Sequence, residues 1–214
     1  MSTTRRLLQG FVSPALPVAE SEYNPSFFNR FNSVLRLYFN KIDNLISSLL
    51  DVNGGALINN PYGAFYTNAV QTVSAANTIT TVSLTATQEA NGMSLASNKI
   101  TFALDGVYHV QWNLQCANSN AGIQDVTIWV RKNGVDLPNS AYLFTITEKH
   151  GATDGRLNQT ADFGLAAVAN DYIEIMWAAT STSVTLYYEP AQTVPYARPS
   201  VPSTYVTVTF ISAV

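Results

Sequence analysis

The alternation of apolar and polar positions along the chain changes period near residue 52. Ahead of that point the pattern is helical. Asn24 can cap a helix through its side-chain oxygen, and Pro25, with no N–H to leave unpaired, suits the first helical position. Phe28, Phe31, Leu35, Tyr38, Ile42, Leu45 and Leu49 follow at alternating steps of three and four, an unbroken a/d heptad. Phe27, Val34, Phe39 and Ile46 fall at the flanking g and e positions, so the stripe is wider than a two-stranded coiled coil needs. The pattern predicts a helix over 24–51, of which about 24 residues give a rod of roughly 36 Å at about 1.5 Å per residue; a trimer, or a bundle docked on another protein, accommodates the stripe's width, and a three-stranded stalk is the reading taken. An amphipathic helix packed on its own domain is the competing reading. Residues 52–61, with Gly54 and Gly55, read as a linker.

From Tyr62 onward the period is two. Tyr108, Val110, Trp112, Leu114 and Cys116 share one face, and Val107, His109, Gln111, Asn113 and Gln115 the other. Val126, Ile128 and Val130 alternate with Asp125, Thr127, Trp129 and Arg131. Ile173, Ile175 and Trp177 alternate with Tyr172, Glu174 and Met176, and Val206, Val208 and Phe210 with Tyr205, Thr207 and Thr209. Such alternation is that of half-buried antiparallel strands. Asp105-Gly106 and Asn133-Gly134 predict hairpin turns, because glycine accepts positive φ. Residues 62–214 therefore predict a mainly β fold, an antiparallel jelly-roll sandwich of eight to ten strands. Pro190, Pro195, Pro199 and Pro202 cannot sit in a central strand and predict a long, stiff loop carrying Tyr196 and Arg198. Residues 1–23, with Pro14 and Pro17, read as an extended arm that a partner orders, or as a solvated tail.

Composition narrows the function classes. Apolar residues make up 47% of the 214 and charged residues 12%, about half the roughly 25% of an average soluble domain. That balance excludes bulk disorder and leaves surface to bury against further copies. A net charge of −3 without a basic stripe argues against nucleic-acid binding. No apolar run approaches the roughly 18 residues of a membrane span, and Pro14 and Pro17 interrupt any signal-peptide core. Cys116 is the single cysteine, so neither an internal disulfide nor a zinc site built on several cysteines is expected. It shares a face with Trp112 and Leu114 and should pack as a small buried group.

Four stretches carry a family resemblance: KITFALDGVYHV (99–110), VTIWVRKNGV (126–135), FGLAAVANDYIEIMW (163–177) and the closing YVTVTFI. Their order over 62–214 resembles the globular head of complement subcomponent q and the tumour necrosis factor superfamily. The resemblance implies a jelly roll of about ten strands that forms compact trimers. Animal members often follow a collagen stalk; this chain has no Gly-X-Y repeat, and the heptad segment stands in its place. AVQTVSAANTITTVSL (69–84), NGMSL and EPAQTVPYARPSVPS (189–203) look like phage fibre proteins. LPVAESEYNPSFFNRFNSVLRLYFNKIDNL looks like the N-terminal attachment segment of virion proteins in marine and cyanobacterial phages.

Catalytic chemistry is not expected. His109 and His150 lie near no nucleophile in a recognisable motif, and no phosphate-cradling glycine loop occurs. Asp154, Asp162, Asp171 and Glu174 do not follow a calcium-loop spacing, so no metal or other cofactor is implied. Asn158-Gln159-Thr160 matches a glycosylation sequon, a coincidence in a protein made in bacterial cytoplasm. His109, Trp129 and Tyr187 are candidates for subunit contacts in the head, with plain surface exposure the alternative for His109. Tyr196 and Arg198 are candidate tip contacts. The resulting expectation is a homotrimeric virion protein, a tail fibre of a phage. Its parts would be a virion-attachment arm (1–23), a coiled-coil stalk (24–51), a linker (52–61) and a jelly-roll head (62–214) that contacts a host-surface glycan or protein. Two alternatives stand beside it: a capsid decoration or cement protein without a receptor, and a cellular lectin-like or signalling trimer.

Overall fold

The computed structural model describes residues 14–16, 22, 24–50 and 60–213, the side chains of 47–50 excepted. Most of the predicted arm, the Leu49 side chain and the glycine-containing linker lie outside the described residues. The chain divides into two compact units, Met1–Asn59 and Asn60–Val214.

The first unit is built on α1, Pro25–Leu50. Asn24 caps it as expected: its Oδ1 accepts from the Ser26 N–H at 2.9 Å and from the Ser26 hydroxyl at 2.8 Å. The helix stays unbroken for 26 residues because no proline or glycine follows Pro25. Its half-buried positions are Phe27, Phe31, Val34, Leu35, Tyr38, Ile42 and Leu45. Phe28 is 45% exposed and meets Phe27 edge-on at 5.4 Å between ring centroids, and Phe27 stacks on Phe31 at 6.3 Å. No described side chain of α1 is buried within the single chain.

The second unit is an antiparallel two-sheet sandwich. Its first strands are β1 (Tyr62–Thr67), β2 (Gln71–Thr72), β3 (Thr80–Thr81), β4 (Ala86–Asn91), β5 (Met93–Ala96) and β6 (Lys99–Phe102). Then come β7 (Gly106–Asn118), β8 (Gln124–Lys132), β9 (Val135–Asp136), β10 (Tyr142–Ile146) and β11 (Gly155–Ala167). The last are β12 (Tyr172–Ala179), β13 (Val184–Leu186) and β14 (Thr204–Ser212). The count exceeds eight to ten because β2, β3, β9 and β13 are two or three residues long, too short to show a period.

One sheet runs β4-β1-β14-β7-β11, with β13 pairing β7 beyond the end of β14 and β2 pairing β13. The other runs β5-β6-β12-β8-β10, with β3 beside β12 and β9 beside β8. The chain passes repeatedly from one sheet to the other, the winding of a jelly roll. The predicted inward faces close the space between the sheets. Tyr108, Val110, Trp112 and Leu114 from β7 meet Ile128 and Val130 from β8 and Ile173, Ile175 and Trp177 from β12 in one cluster. Met176, expected on the polar face, is also buried, and it takes a weak hydrogen bond from Thr81 Oγ1 to its sulfur at 3.6 Å. Cys116 packs as expected, and burial pushes its thiol up to about 12, out of reach of ordinary thiolate chemistry.

The two predicted hairpins part company. Asn133 and Gly134, at φ 49° and 82°, make the two-residue turn that pairs Lys132 with Val135. Asp105-Gly106 is no hairpin, because it carries the chain from β6 in one sheet to β7 in the other. Gly106 is required there by close approach: a Cβ would lie 2.4 Å from the Phe210 ring. A turn with positive φ at Ser97 and Asn98 joins β5 to β6 without any glycine.

One carboxylate latches this end of the sandwich. Asp171 takes Lys132 Nζ at 2.7 Å, the Asn133 amide at 2.6 Å and the Val168 N–H at 2.9 Å. Burial alone would raise its carboxyl; these three donors outweigh it and hold the group down at about 2. The unfolded chain binds the proton more readily. The contribution is thus full above the ordinary carboxylate range and is lost as pH falls through about 2. Asp171→Asn should cost about 2 kcal/mol at neutral pH, and the gap to wild type should narrow as pH approaches 2. Urea unfolding across that range measures it; a gap constant with pH would show that charge is not what Asp171 contributes.

Candidate binding surfaces

The side chains singled out from the sequence fall on different faces. His109 projects from the outer face of β7, its Nε2 2.8 Å from Asp162 Oδ2 on β11. Trp129 lies on the outer face of the other sheet. Its indole N–H donates to Asp136 Oδ1 at 2.8 Å, and Arg131 Nε donates to the same oxygen at 2.7 Å. Arg131 first and Trp129 second hold the Asp136 carboxyl below its ordinary value. Trp129 is half-buried opposite Met176 in the β8–β12 ladder. His109 and Trp129 thus lie on opposite outer faces of the sandwich.

Tyr187 follows β13 and joins a network at the base of the proline loop. The Arg156 guanidinium sits 4.2 Å over its ring and donates to its hydroxyl at 2.9 Å. The Tyr187 hydroxyl donates to Glu189 Oε1, which also receives Arg156 Nη1 at 3.1 Å. Burial first, then the Glu189 hydrogen bond, pushes the Tyr187 hydroxyl up, and the same bond holds Glu189 below its usual range.

The loop is a narrow excursion of two arms, joined by rungs between Glu189 and Val201 and between Gln192 and Arg198. Tyr196 and Arg198, expected together as tip contacts, are separated. Tyr196 is 65% exposed at the turn. Arg198 is only 18% exposed and is turned back into the loop. Its guanidinium donates to Glu189 Oε2, to Gln192 Oε1 at 3.3 Å and to the Pro190 and Pro199 carbonyls at 3.3 and 3.1 Å. Arg198 braces the loop with hydrogen bonds the prolines cannot make for themselves.

The returning arm of this loop reaches a feature that no single stretch of sequence marks. Tyr66 on β1 and Tyr205 on β14 are direct ladder partners, and their rings lie nearly parallel, 6.4 Å between centroids and 16° between planes. With Asn68, Gln88, Ser200 and Pro202 they line an open cleft of about 270 Å³. Tyr205 donates its hydroxyl to Gln88 Oε1 at 2.9 Å. Tyr66 and Tyr205 lie at opposite ends of the head sequence, and the outward phase of each strand is the only trace of the pair in the sequence.

Among the described residues no group of three or more His, Cys, Asp or Glu could hold a metal ion, and no helix is long and apolar enough to cross a membrane. No protein-family model matches the chain, and no curated protein matches it. Among solved structures, Eiger TNF from S. frugiperda is similar, with a TM-score of 0.48 and 10% identity over 73% of this chain and 95% of that one.

Proposed function

We propose that the chain is a homotrimeric fibre or spike protein of a phage virion, with α1 as the stalk and the sandwich as a terminal head that contacts the host surface. The observation that carries this reading is α1 itself. Over residues 25–46 it presents a continuous apolar stripe of which no described side chain is buried in the single chain. Seven large apolar groups in a wide heptad lose their contact with water most economically in a three-stranded bundle. The resemblance of the same segment to phage attachment segments supports its place between virion and head. Three heads on one stalk bring three weak contacts together, so modest affinity for a repeated surface group becomes useful avidity. Phe28, Phe31, Leu35, Tyr38, Ile42, Leu45 and Leu49 are the proposed trimer contacts, and residues 1–23 the proposed virion anchor.

Leu35→Asp with Ile42→Asp places two carboxylates in the centre of that stripe. Burying an unpaired carboxylate costs several kcal/mol, so the full-length double variant should run as a monomer in multi-angle light scattering where the wild type runs as a trimer. A variant that remains trimeric would remove the stalk from the proposal. An averaged electron cryo-microscopy map of the particle tests the location. A three-fold stalk and knob at the tail supports attachment, whereas density at capsid symmetry axes assigns the chain to decoration instead.

A further inference from the structure

We infer that the cleft between Tyr66 and Tyr205 is a binding subsite for a neutral sugar. This deepens the host-surface reading above by naming a ligand class and a place for it. Three features of the cleft bear on the chemistry.

The first is its aromatic side. Two nearly parallel tyrosine rings on adjacent strands stack and present one aromatic edge to the cleft, held by the ladder register that makes Tyr66 and Tyr205 direct partners. Tyrosine combines an apolar ring with a polar tip and loses little freedom when it binds. A pyranose has the matching form, with an apolar C–H face and a rim of hydroxyls.

The second is the set of polar groups around it. The Asn68 and Gln88 carboxamides each offer donors and an acceptor, and the Ser200 hydroxyl can serve as either. Asn68 and Ser200 make no side-chain hydrogen bond to the described residues, and the Tyr205–Gln88 bond leaves the Gln88 amide group to a ligand. Paired donor and acceptor functions suit vicinal hydroxyls. An entirely apolar ligand would bury these groups unpaired, at a cost.

The third is charge. The six lining residues include no Asp, Glu, Lys, Arg or His, so the cleft offers no charged partner for a phosphate, a carboxylate or an ammonium group. Its volume of about 270 Å³ falls just below the roughly 300 Å³ at which pockets for drug-sized ligands begin. That suits a single sugar unit. The wall is also built to stay in place. Ser200 and Pro202 belong to the returning arm of the proline loop, which Arg198 and the Glu189–Val201 rung hold against its partner. Arg198 is thus a positioning residue for the cleft and not itself a contact.

The full-length protein is titrated with the methyl glycosides of glucose, galactose, mannose and N-acetylglucosamine, with N-acetylneuraminate as the charged control. Saturation-transfer NMR reads binding, and light scattering on the same samples reads the oligomer. We expect at least one neutral glycoside to bind and the charged control to fail. Tyr205→Ala should weaken binding by at least about tenfold, and Tyr66→Phe, which keeps the ring, should retain it. Asn68→Ala removes an exposed side chain that makes no side-chain hydrogen bond to the described residues, so it tests the same cleft should Tyr205→Ala fold poorly, and it too should weaken binding. Failure of every neutral glycoside, or binding indifferent to Tyr205→Ala and Asn68→Ala, overturns the inference. So does loss of the oligomer on Tyr205→Ala, which would make the cleft a contact between copies of the chain. A monomer that still binds the glycoside would support the subsite while removing the trimeric stalk, so the two proposals fail separately.

Discussion

Trp177→Ala is expected to destabilise the sandwich by about 3–5 kcal/mol, and Trp177→Phe by about 1–2 kcal/mol. Trp177 is fully buried on β12 within the inter-sheet cluster, opposite Ile128 in the β8 ladder. Alanine there leaves a cavity between two sheets whose ladders resist collapse, which is the condition for a cost near the top of the range. Phenylalanine fills much of the same space. It also removes a burden, because the buried indole N–H of Trp177 has no hydrogen-bond partner among the described residues. A buried donor without a partner is unfavourable to the folded state, so deleting it offsets part of the lost packing. Equilibrium unfolding in urea followed by far-ultraviolet circular dichroism keeps the readout independent of the removed fluorophore. If phenylalanine proves as costly as alanine, the N–H makes a hydrogen bond in solution and the offset argument is wrong.

Gly155→Ala should cost about 3 kcal/mol or more, or prevent folding altogether. The reason is close backbone approach and not φ. A Cβ at residue 155 would lie 2.0 Å from the Thr147 carbonyl oxygen and 2.8 Å from that of Glu148. Neither atom can swing aside as a side chain can. The Thr147 carbonyl is further pinned by Asn118, a fully buried residue whose amide donates to it at 3.1 Å. Gly155 pairs with that same Asn118 at the end of the β7–β11 ladder, so relief would require the longest ladder in the sandwich to open at its end. Gly164 lies in the same strand with nothing within 4 Å of a built Cβ, and Gly164→Ala should change stability by less than about 0.5 kcal/mol. Thermal melts of the two variants side by side make the comparison. Equal melting temperatures would mean that the connection after β10 yields more easily than its hydrogen bonds imply.

Legibility in the sequence followed the range of the physics involved. The start of α1 was readable to the residue because capping is local: Asn24 and Pro25 act on N–H groups within one turn. The inward faces of β7, β8, β12 and β14 were readable because a buried strand face has a period of two. Asp105-Gly106 misled because the same dipeptide serves both a tight turn and a close approach. The ring that demands glycine at 106 belongs to Phe210, on a strand at the far end of the chain. Arg198 lies in the proline loop, and the sequence carried no sign that its guanidinium turns back into that loop. Composition marks guanidinium groups as contact-makers, but Glu189 and Gln192 were close enough to engage it first.

Amphipathic periods, a capping pair and turn residues are encoded within a few neighbours. Those features alone specified one long helix with a wide apolar stripe, followed by an antiparallel β domain with a proline-stiffened loop. Some strand partners lie more than a hundred residues apart, and no local period carries that information. The pairing of β1 with β14 is such a case. It sets Tyr66 beside Tyr205 and brings the returning arm of the loop against them, so the cleft exists only because the two ends of the head sequence became neighbours in one sheet.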